Sequence, residues 1–456
     1  MKIDALVAEI GSTTTLVNGF DCLDSPHPIF VGQGLHATTV NEGDVTLGLY
    51  GAIRDLADKL GVATLEAVDT FACSSAAGGL RMTVHGLVLD MTVKAAREAA
   101  LGAGANLKLV TAGLLDEEQI ASIRAINPNI IMIAGGVDYG ETATAIANAK
   151  QIASMELNIP VIYAGNIQNQ SSIRKIFQMY HQDSHLIIIS NVYPKIDMLQ
   201  VDEARKAIQA VFESHITQAP GMEKVRDLIN ESILPTPGAV MEASILLQSH
   251  LGDLVTFDVG GATTDVHSVT AGNPQIEEIL LAPEPFAKRS VEGDLGVYIN
   301  RYHLVEAIGT DKLARELSIT SDTLNDWLSD LKPIPDQTHY PLVRRLTLEA
   351  LLIGLKRHAG RMISFYGANG KTSLAEGKDL TDVKTVIGTG GALTKLPATK
   401  DLIQKCLEMT DDTFLKPARS ASVLIDADYI MATAGVLARK YPDAALFILQ
   451  NSFRTR

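Results

Sequence analysis

The sequence has 456 residues, of which 46% are hydrophobic and only 5% aromatic, so its core must be largely aliphatic. The formal net charge of -14 excludes a general nucleic-acid binder, which needs a basic face against the phosphates. Cys22, Cys73 and Cys406 are too far apart for a CxxC or metal-ligand motif, which argues against an iron–sulfur cluster, and we predict a reduced, cytoplasmic protein without a membrane span.

The first predicted domain covers residues 1–84 and opens with a glycine turn between two strands. The strands are Ile3–Ile10 and Thr15–Asp21, and the turn reads EIGSTTT. Glycine lets the backbone turn tightly and present its N–H groups to an anion, while hydroxyl groups add donors. The pattern predicts a phosphate-binding hairpin, although standing alone it would equally fit an ordinary turn. The predicted phosphate-binding residues are Gly11, Ser12, Thr13 and Thr14.

Residues 85–235 are predicted to form an inserted parallel α/β subdomain. Its apolar strands alternate with helical segments, which is typical of a parallel sheet covered on both faces. Three of the loops at the carboxyl ends of these strands contain glycine, and such loops often bind ligands. They predict a cofactor-like or partner-docking surface, or simply tight strand-to-helix turns, and AGGVDYG lacks the spacing of a dinucleotide site. The predicted strands are Leu107–Thr111, Ile130–Ala134, Val161–Ala164 and Leu186–Ser190.

A predicted connecting helix, residues 236–250, leads into a second domain, residues 251–428, with the most specific motif of the chain. In LVTFDVGGATTDVHS, an apolar strand runs into an aspartate, two glycines and two threonines. Aligning Asp258 with Glu9 brings the glycines and threonines of the two motifs into register, 249 residues apart. Two similar hairpins predict two related domains that face one ligand. The predicted phosphate-binding residues of the second hairpin are Gly260, Gly261, Thr263 and Thr264.

Four further segments follow this motif. The run KRSVEGDLG at 288–296 predicts either a solvated turn or a loop near a ligand or metal. Residues 341–365 alternate leucines with arginines and lysines and predict a long amphipathic helix. VIGTGGALTKLP at 386–397 is a third glycine cluster after an apolar run. Residues 429–456 are predicted to form a C-terminal helix that returns to the first domain.

The order of these motifs resembles the superfamily of actin, hexokinase and heat-shock-chaperone ATPases. In that superfamily two RNase H-like domains enclose a nucleotide cleft, and each phosphate hairpin precedes a connecting helix. The resemblance implies an α/β fold of this kind, to which the parallel subdomain is added. It also implies that the loop at 388–393 contacts adenosine, and that small residues in the helices at 236–248 and 429–437 permit a close crossing at the hinge. The glycines of the adenosine loop are Gly388, Gly390 and Gly391.

Three runs resemble one family within that superfamily. They are AEIGSTTTLVNGFD at the N-terminus, FACSSAAGGLRM at 71–82 and KRSVEGDLG. The family is the MutL-like family associated with adenosylcobalamin-dependent glutamate mutase and aminomutases, unrelated to the mismatch-repair protein of the same letters. The resemblance extends along nearly the whole chain. It implies an ATP-dependent reactivating factor that releases damaged cobalamin from a mutase, alone or with a small second subunit.

The predicted chemistry is slow hydrolysis of ATP with Mg²⁺. Glu9 and Asp258 are the predicted catalytic and metal-binding residues, because carboxylates suit magnesium and its waters, and one of them could orient the attacking water. A small-molecule kinase of the same superfamily is the alternative, with Asp265 or Asp138 as the base. A polymerising ATPase of the actin kind is a third class. The chain contains no Asp-x-His-x-x-Gly motif, so it need not bind cobalamin itself.

Overall fold

The computed structural model describes residues 1–11, 14–39, 42–75, 80–216, 222, 224–367 and 370–453. The chain forms two compact units. Unit 1 contains residues 1–22, 29–239 and 282–285, and unit 2 contains residues 23–28, 240–281 and 286–456. Among the described residues no helix has the length and apolar composition needed to cross a bilayer.

Unit 1 begins with a mixed five-stranded sheet. Strands β1 to β3 form an antiparallel meander, and β4 pairs parallel to β1 after helix α1. β1 is buried over most of its length, because its apolar residues pack on both faces of the sheet. The elements are β1 (Lys2–Ile10), β2 (Thr14–Asp21), β3 (Ile29–Ala37), α1 (Thr46–Lys59) and β4 (Glu66–Ser74).

A parallel sheet follows in the same unit, with the strand order β6-β5-β7-β8-β9. Its strands are β5 (Arg81–Gly86), β6 (Asn106–Ala112), β7 (Ile130–Ile133), β8 (Val161–Tyr163) and β9 (Leu186–Ile188). The helices are α2 (Lys94–Gly102), α3 (Glu117–Ile126), α4 (Ala143–Ala153), α5 (Gln170–Met179), α6 (Asp202–Ile216) and α7 (Val225–Leu228). A capping box of Asp116 and Gln119 starts α3. The four predicted strands are confirmed, and β5 is an additional one.

Strand β10 (Ile233–Pro235) pairs parallel to β4 and completes the mixed sheet, whose order is β10-β4-β1-β2-β3. The chain therefore leaves this sheet after β4, forms the parallel sheet and returns. The parallel sheet begins four residues before the predicted insert of residues 85–235, because β5 begins at Arg81, and the chain is back in the mixed sheet from Ile233, shortly before the predicted end.

Helix α8 (Thr236–Leu251) leads from the residues of unit 1 into those of unit 2. Unit 2 is built on a second mixed sheet with the order β13-β12-β11-β16-β17. Its strands are β11 (Leu254–Val259), β12 (Thr264–Val269), β13 (Ala287–Glu292), β16 (Thr385–Thr389) and β17 (Ser422–Ile425), and a separate hairpin contains β14 (Arg361–Gly367) and β15 (Gly370–Glu376). The helices are α9 (Pro274–Glu277), α10 (Arg301–Ile308), α11 (Thr310–Glu316), α12 (Ser321–Asp330), α13 (Tyr340–His358), α14 (Gly391–Thr394), α15 (Thr399–Met409), α16 (Met431–Leu437) and α17 (Pro442–Ser452).

The two mixed sheets share one connectivity. In each, three antiparallel strands are followed by two strands that run parallel to the first. This is the arrangement that a repeated RNase H-like domain predicts, so the predicted α/β fold with an added parallel sheet is confirmed. The enclosure of a nucleotide by the two domains stays a prediction.

Three segments differ from the sequence-based expectation. The long helix expected at 341–365 ends at His358, and the residues from Arg361 onward form strand β14. Residues 287–292 form the buried strand β13 and are not a solvated turn. The C-terminal segment forms two helices, and the contact that anchors it lies within unit 2, where the Ser452 hydroxyl donates to Asp426 over 2.7 Å. A single helix was expected here, and its return to the first domain stays a prediction.

Three buried histidines make the stability of the fold sensitive to acid. Burial lowers the pKa of His85 to about 3 and the pKa values of His267 and His358 well below 6.5. His85 and His358 are hydrogen-bonded to hydroxyl groups, whereas neither ring nitrogen of His267 has a partner among the described residues. Below pH 6.5 these histidines would be protonated in the unfolded chain but not in the native state. Each of them therefore lowers the free energy of unfolding as the pH falls.

We expect His267→Leu to isolate this effect. The variant removes two unsatisfied buried nitrogens, and its advantage over the wild type in free energy of unfolding should grow by about 2 kcal/mol between pH 7 and pH 5. Urea unfolding at both pH values measures the difference. His303→Leu, at an exposed position, is the control and should leave the pH dependence unchanged. An equal advantage of His267→Leu at both pH values would contradict the prediction.

Candidate functional site

The two predicted phosphate hairpins have the same closing geometry. The N–H of Gly11 donates to the carbonyl of Thr14 over 2.9 Å, and the N–H of Gly260 donates to the carbonyl of Thr263 over 2.9 Å. The strand registers agree as well, since Ile10 faces Thr15 and Val259 faces Thr264. The alignment made from sequence therefore corresponds to one repeated four-residue turn.

In the second turn the carbonyl groups are hydrogen-bonded to the protein, whereas the N–H groups are not. The carbonyl groups of Gly260, Gly261 and Ala262 accept hydrogen bonds from the segment 297–300. The N–H groups of Gly261, Ala262 and Thr263 find no acceptor in the part of the chain that the structure describes. Successive N–H groups that are left open in this way form a concave site for an anion. This turn therefore offers adjacent N–H groups to an anion, and its binding of phosphate stays a prediction.

Segment 293–300 holds the loop in place. The amide of Asn300 donates to the carbonyls of Ala262 and Gly293, over 2.7 Å each. A Cβ atom at Gly296 would overlap the backbone of Ala262, so only glycine permits this close approach. Sequence reasoning missed this support, and the glycines of the run KRSVEGDLG were its only signal.

Asp258 stands at the end of β11 with a half-buried carboxylate. Burial, and then the charge of Asp265 opposite it on β12, raise the pKa of Asp258 to about 7. Among the described residues no donor is hydrogen-bonded to this carboxylate, so its oxygen atoms remain available to an external ligand. A carboxyl group with a raised pKa is a suitable cation ligand, because a bound positive charge would favour its ionised form.

The two acids beside Asp258 are fully engaged. Asp265 is buried and accepts two hydrogen bonds from the guanidinium of Arg289, over 3.1 and 2.9 Å. Asp426 is also buried and accepts from Thr389, Ser452 and the first backbone N–H groups of α16. The site therefore contains one carboxylate that is free to bind a ligand and two that fix its surroundings.

The third glycine loop lies against Asp258 in unit 2. Thr389 pairs with Asp258 in the parallel register of β11 and β16. Gly390 has φ +85°, and a Cβ atom there would overlap the carboxylate of Asp258. Gly388 packs against aliphatic side chains, whereas Gly391 faces open space. A cavity of about 710 Å³ adjoins the chain just after this loop, and its charged lining residues are Lys395 and Lys400.

The first hairpin is the corresponding site of unit 1. Glu9 is 8% exposed, and its cross-strand neighbours are Leu16 on β2 and Cys73 on β4. The equivalent neighbours of Asp258 are Asp265 and Thr389. The hydroxyl of Thr38 donates to the carbonyl of Gly11 over 2.8 Å and so fixes the turn from its carbonyl side. Leu16 in place of Asp265 makes this copy less polar.

The predicted site residues therefore fall into two groups. Glu9, Gly11 and Thr14 lie together in unit 1, and Ser12 and Thr13 lie outside the described residues. Asp258, Gly260, Gly261, Thr263, Gly390 and Gly391 lie together in unit 2. The hydroxyl of Thr264 is buried and donates to the carbonyl of Leu295, so its predicted contact with phosphate would require that bond to be exchanged. Arg289 and Asn300 are the important residues that sequence reasoning did not assign.

The donor set fits magnesium bound through phosphate and water. Among the described residues, no group of three or more histidine, cysteine, aspartate or glutamate side chains forms a metal cluster. Magnesium commonly binds one or two carboxylates, substrate phosphates and several waters. The single available carboxylate of Asp258 beside the open N–H groups matches that mode.

Comparison with known proteins identifies the family. A family model described as "MutL protein" matches residues 5–453, and Protein MutL from Clostridium tetanomorphum is 34% identical over 466 residues, covering 98% of both chains. The chain belongs to the MutL family. The predicted family is thereby confirmed.

Solved structures from several protein classes also match with low scores. The nucleotide-free diol dehydratase-reactivating factor is 10% identical with a TM-score of 0.33, and 96% of this chain and 100% of that chain are covered. Component A of (R)-2-hydroxyglutaryl-CoA dehydratase from Acidaminococcus fermentans is 10% identical with a TM-score of 0.30, covering 97% and 99%. The assignment to the MutL family does not depend on these matches.

Proposed function

We propose that this MutL-family protein is an ATP-dependent reactivating factor for an adenosylcobalamin-dependent mutase of the glutamate mutase or aminomutase type. The observation that carries the ATPase part is the loop at Gly260–Thr263, whose carbonyl groups are anchored and whose N–H groups are open beside the available carboxylate of Asp258. Membership of the MutL family supports the mutase as the client.

In this proposal both hairpins bind the phosphates of one ATP. The open N–H groups of Gly261, Ala262 and Thr263 neutralise phosphate charge, and the first hairpin, residues 11–14, would supply the matching donors. Asp258 and Glu9 hold the waters of Mg²⁺, which when bound would neutralise charge on the β- and γ-phosphates. Asp258 also orients the attacking water. Phosphoryl transfer depends mainly on such positioning and charge stabilisation, so this set is sufficient for slow hydrolysis.

Slow hydrolysis suits a conformational switch. The nucleotide state would set the angle between the two RNase H-like domains through the connecting helices, and that angle would set the affinity for the mutase. One state would bind the inactivated enzyme and open its cofactor site, so that damaged cobalamin leaves and intact coenzyme enters. The protein acts in the cytoplasm, alone or with a small second subunit.

The kinase alternative has less support. Asp265 is held by Arg289, and Asp138 accepts hydrogen bonds from the N–H of Ile167 and the amide of Asn191 over 3.0 Å each. A catalytic base needs a lone pair directed at the acceptor hydroxyl, and the structure uses both carboxylates internally.

A reactivation assay tests the proposed function. Glutamate mutase or an aminomutase is first inactivated with bound aquocobalamin and then mixed with the protein, ATP, Mg²⁺ and fresh adenosylcobalamin. We expect mutase turnover to return only with ATP, and slow phosphate release in the absence of any acceptor molecule. No recovery with either class of mutase would overturn the proposal, and ATP consumption that begins only when an acceptor is added would identify a kinase.

A further inference from the structure

The five loops at the carboxyl edge of the parallel sheet share an unusual feature. Each loop that follows a strand from β5 to β9 exposes at least one large apolar side chain. Between residues 85 and 235, seven of the eight exposed large apolar side chains of the described residues lie in these loops. We call these seven residues the apolar rim: Val88, Leu89, Leu114, Tyr139, Ile167, Ile196 and Met198.

The opposite edge of the same sheet provides the comparison. There the eighth side chain, Met179 at the end of α5, is exposed to 71%. Scattered apolar residues on a surface need no explanation, but a set confined to one edge of a sheet does. The carboxyl ends of parallel strands lie side by side, so the apolar rim lies along one edge of the sheet.

Hydrogen bonds hold the loops of the apolar rim to one another. The carboxylate of Asp138 accepts from the N–H of Ile167 and from the amide of Asn191. The N–H of Asp138 donates to the carbonyl of Pro194, and the N–H of Gly113 donates to the carbonyl of Gly86, over 2.9 Å each. These bonds connect the loops after β7, β8 and β9 to one another, and the loop after β6 to the end of β5. A surface that is already ordered loses little conformational entropy on binding.

Tyr139 is exposed and has an unfavourable backbone conformation. Its φ of +63° is unfavourable for an aromatic residue, and its side chain is exposed to 76%. The carbonyl oxygen of the buried Asn166 side chain accepts from the N–H of Tyr139 over 3.1 Å and so stabilises this backbone conformation. Strained backbone and exposed tyrosine are both features of binding surfaces.

Three glycines of the loops after β7 and β8 serve close packing rather than an anion. A Cβ atom at Gly135 would lie 2.8 Å from Ala145, and one at Gly165 would lie 2.5 Å from the nitrogen of Gly135. Gly136 is similarly close to the backbone of Glu141, at 2.8 Å. These contacts leave little room for a phosphate, and they favour the partner-docking interpretation of the loops over the cofactor-like one.

The charge around the apolar rim defines the partner. In the five loops and the first turn of α3, the exposed charged residues are one base, Lys195, and six acids, namely Asp90, Asp116, Glu117, Glu118, Glu141 and Asp197. Like charges would oppose a second copy of this surface or an anionic membrane, whereas lysine and arginine on a partner would be attracted.

We propose that the apolar rim is the surface that docks the mutase, through an apolar face of that enzyme edged with lysine and arginine. This inference rests on the proposed function, since it takes the reactivated mutase as the partner. The loops of the parallel sheet then hold the client, while the hairpins of the mixed sheets bind the nucleotide.

A matched pair of variants tests the docking surface. Leu114→Ser/Tyr139→Ser removes two exposed apolar side chains from the apolar rim, and Met179→Ser removes a comparably exposed one from the opposite edge. We expect the double variant to bind aquocobalamin-inactivated mutase at least tenfold more weakly by surface plasmon resonance and to reactivate it correspondingly less. Its basal phosphate release should stay within about twofold of the wild type, and Met179→Ser should match the wild type in every assay.

A charge variant provides a second measurement that does not depend on apolar substitutions. Asp116→Lys/Glu118→Lys should slow association with the mutase at low salt and weaken the dependence of the association rate on salt. If the wild type reactivates the mutase and both sets of rim variants do so equally well, the docking surface is wrong and the proposed function stands. If the wild type neither binds nor reactivates any mutase, both proposals fail.

Discussion

Asp258→Asn should reduce ATP hydrolysis at least 100-fold while making the unliganded protein more stable above neutral pH. The variant keeps the shape of the side chain but loses the charge that would hold the waters of magnesium and orient the attacking water. Removing one positioned electrostatic group of this kind commonly costs a factor of 10² to 10³ in rate. Phosphate release with saturating ATP and Mg²⁺ measures the first effect.

The stability effect follows from the pKa of Asp258, which is raised to about 7 by burial and by Asp265. In the native, metal-free protein this carboxyl stays protonated up to about pH 7, whereas in the unfolded chain it ionises near pH 3.8. Between these values the native state binds the extra proton, so stability falls as the pH rises. Asparagine removes that loss and should raise the free energy of unfolding at pH 8 by roughly 4 kcal/mol, the free-energy equivalent of raising the pKa from 3.8 to about 7.

Thermal unfolding in EDTA from pH 5 to pH 8 measures this gain. Asp322→Asn replaces an exposed aspartate of α12 and should change neither hydrolysis nor the pH dependence. An Asp258→Asn protein with normal hydrolysis would remove Asp258 from the catalytic assignment, whatever its stability.

Arg289→Met should be the most destabilising of the substitutions considered, by about 3–5 kcal/mol. Arg289 and Asp265 are 3% and 5% exposed, and losing the guanidinium would leave Asp265 as a buried, unpaired charge opposite Asp258. Replacing both partners in Asp265→Leu/Arg289→Met should recover a large part of the loss, because an apolar pair needs no compensating charge.

Urea unfolding of these variants measures the difference. The matched control is Arg361→Met, which breaks the exposed ion pair with Glu376, where the two side chains are 62% and 53% exposed. That substitution should cost less than about 1 kcal/mol. Equal costs for Arg289→Met and Arg361→Met would show that the buried pair contributes no more than a surface one.

The hairpins could be predicted from sequence because their chemistry is local. A strand, an acid, glycines and threonines within a few residues specify a turn, and the second copy fixed the alignment of Gly11 with Gly260. The four apolar strands of the parallel sheet were predictable for the same reason, since each is a short, largely apolar run between helical segments.

The features that were missed depend on contacts between distant segments. Arg289 meets Asp265 only through the register of β12 and β13, which no local pattern specifies. Strand β5 was missed because RMTVHG contains a buried histidine that is satisfied by Thr111 on β6. The apolar rim is visible only when five loops, separated by helices, are brought to one edge of a sheet.

The close approach of Gly296 to Ala262 has an evolutionary consequence. A methyl group at this position would push the backbone segment away from the phosphate loop, so any larger residue should be selected against as strongly as a change in the loop itself. Relatives that retain ATP turnover should therefore keep glycine here, and a lineage in which this glycine has drifted should also have lost its ATPase activity.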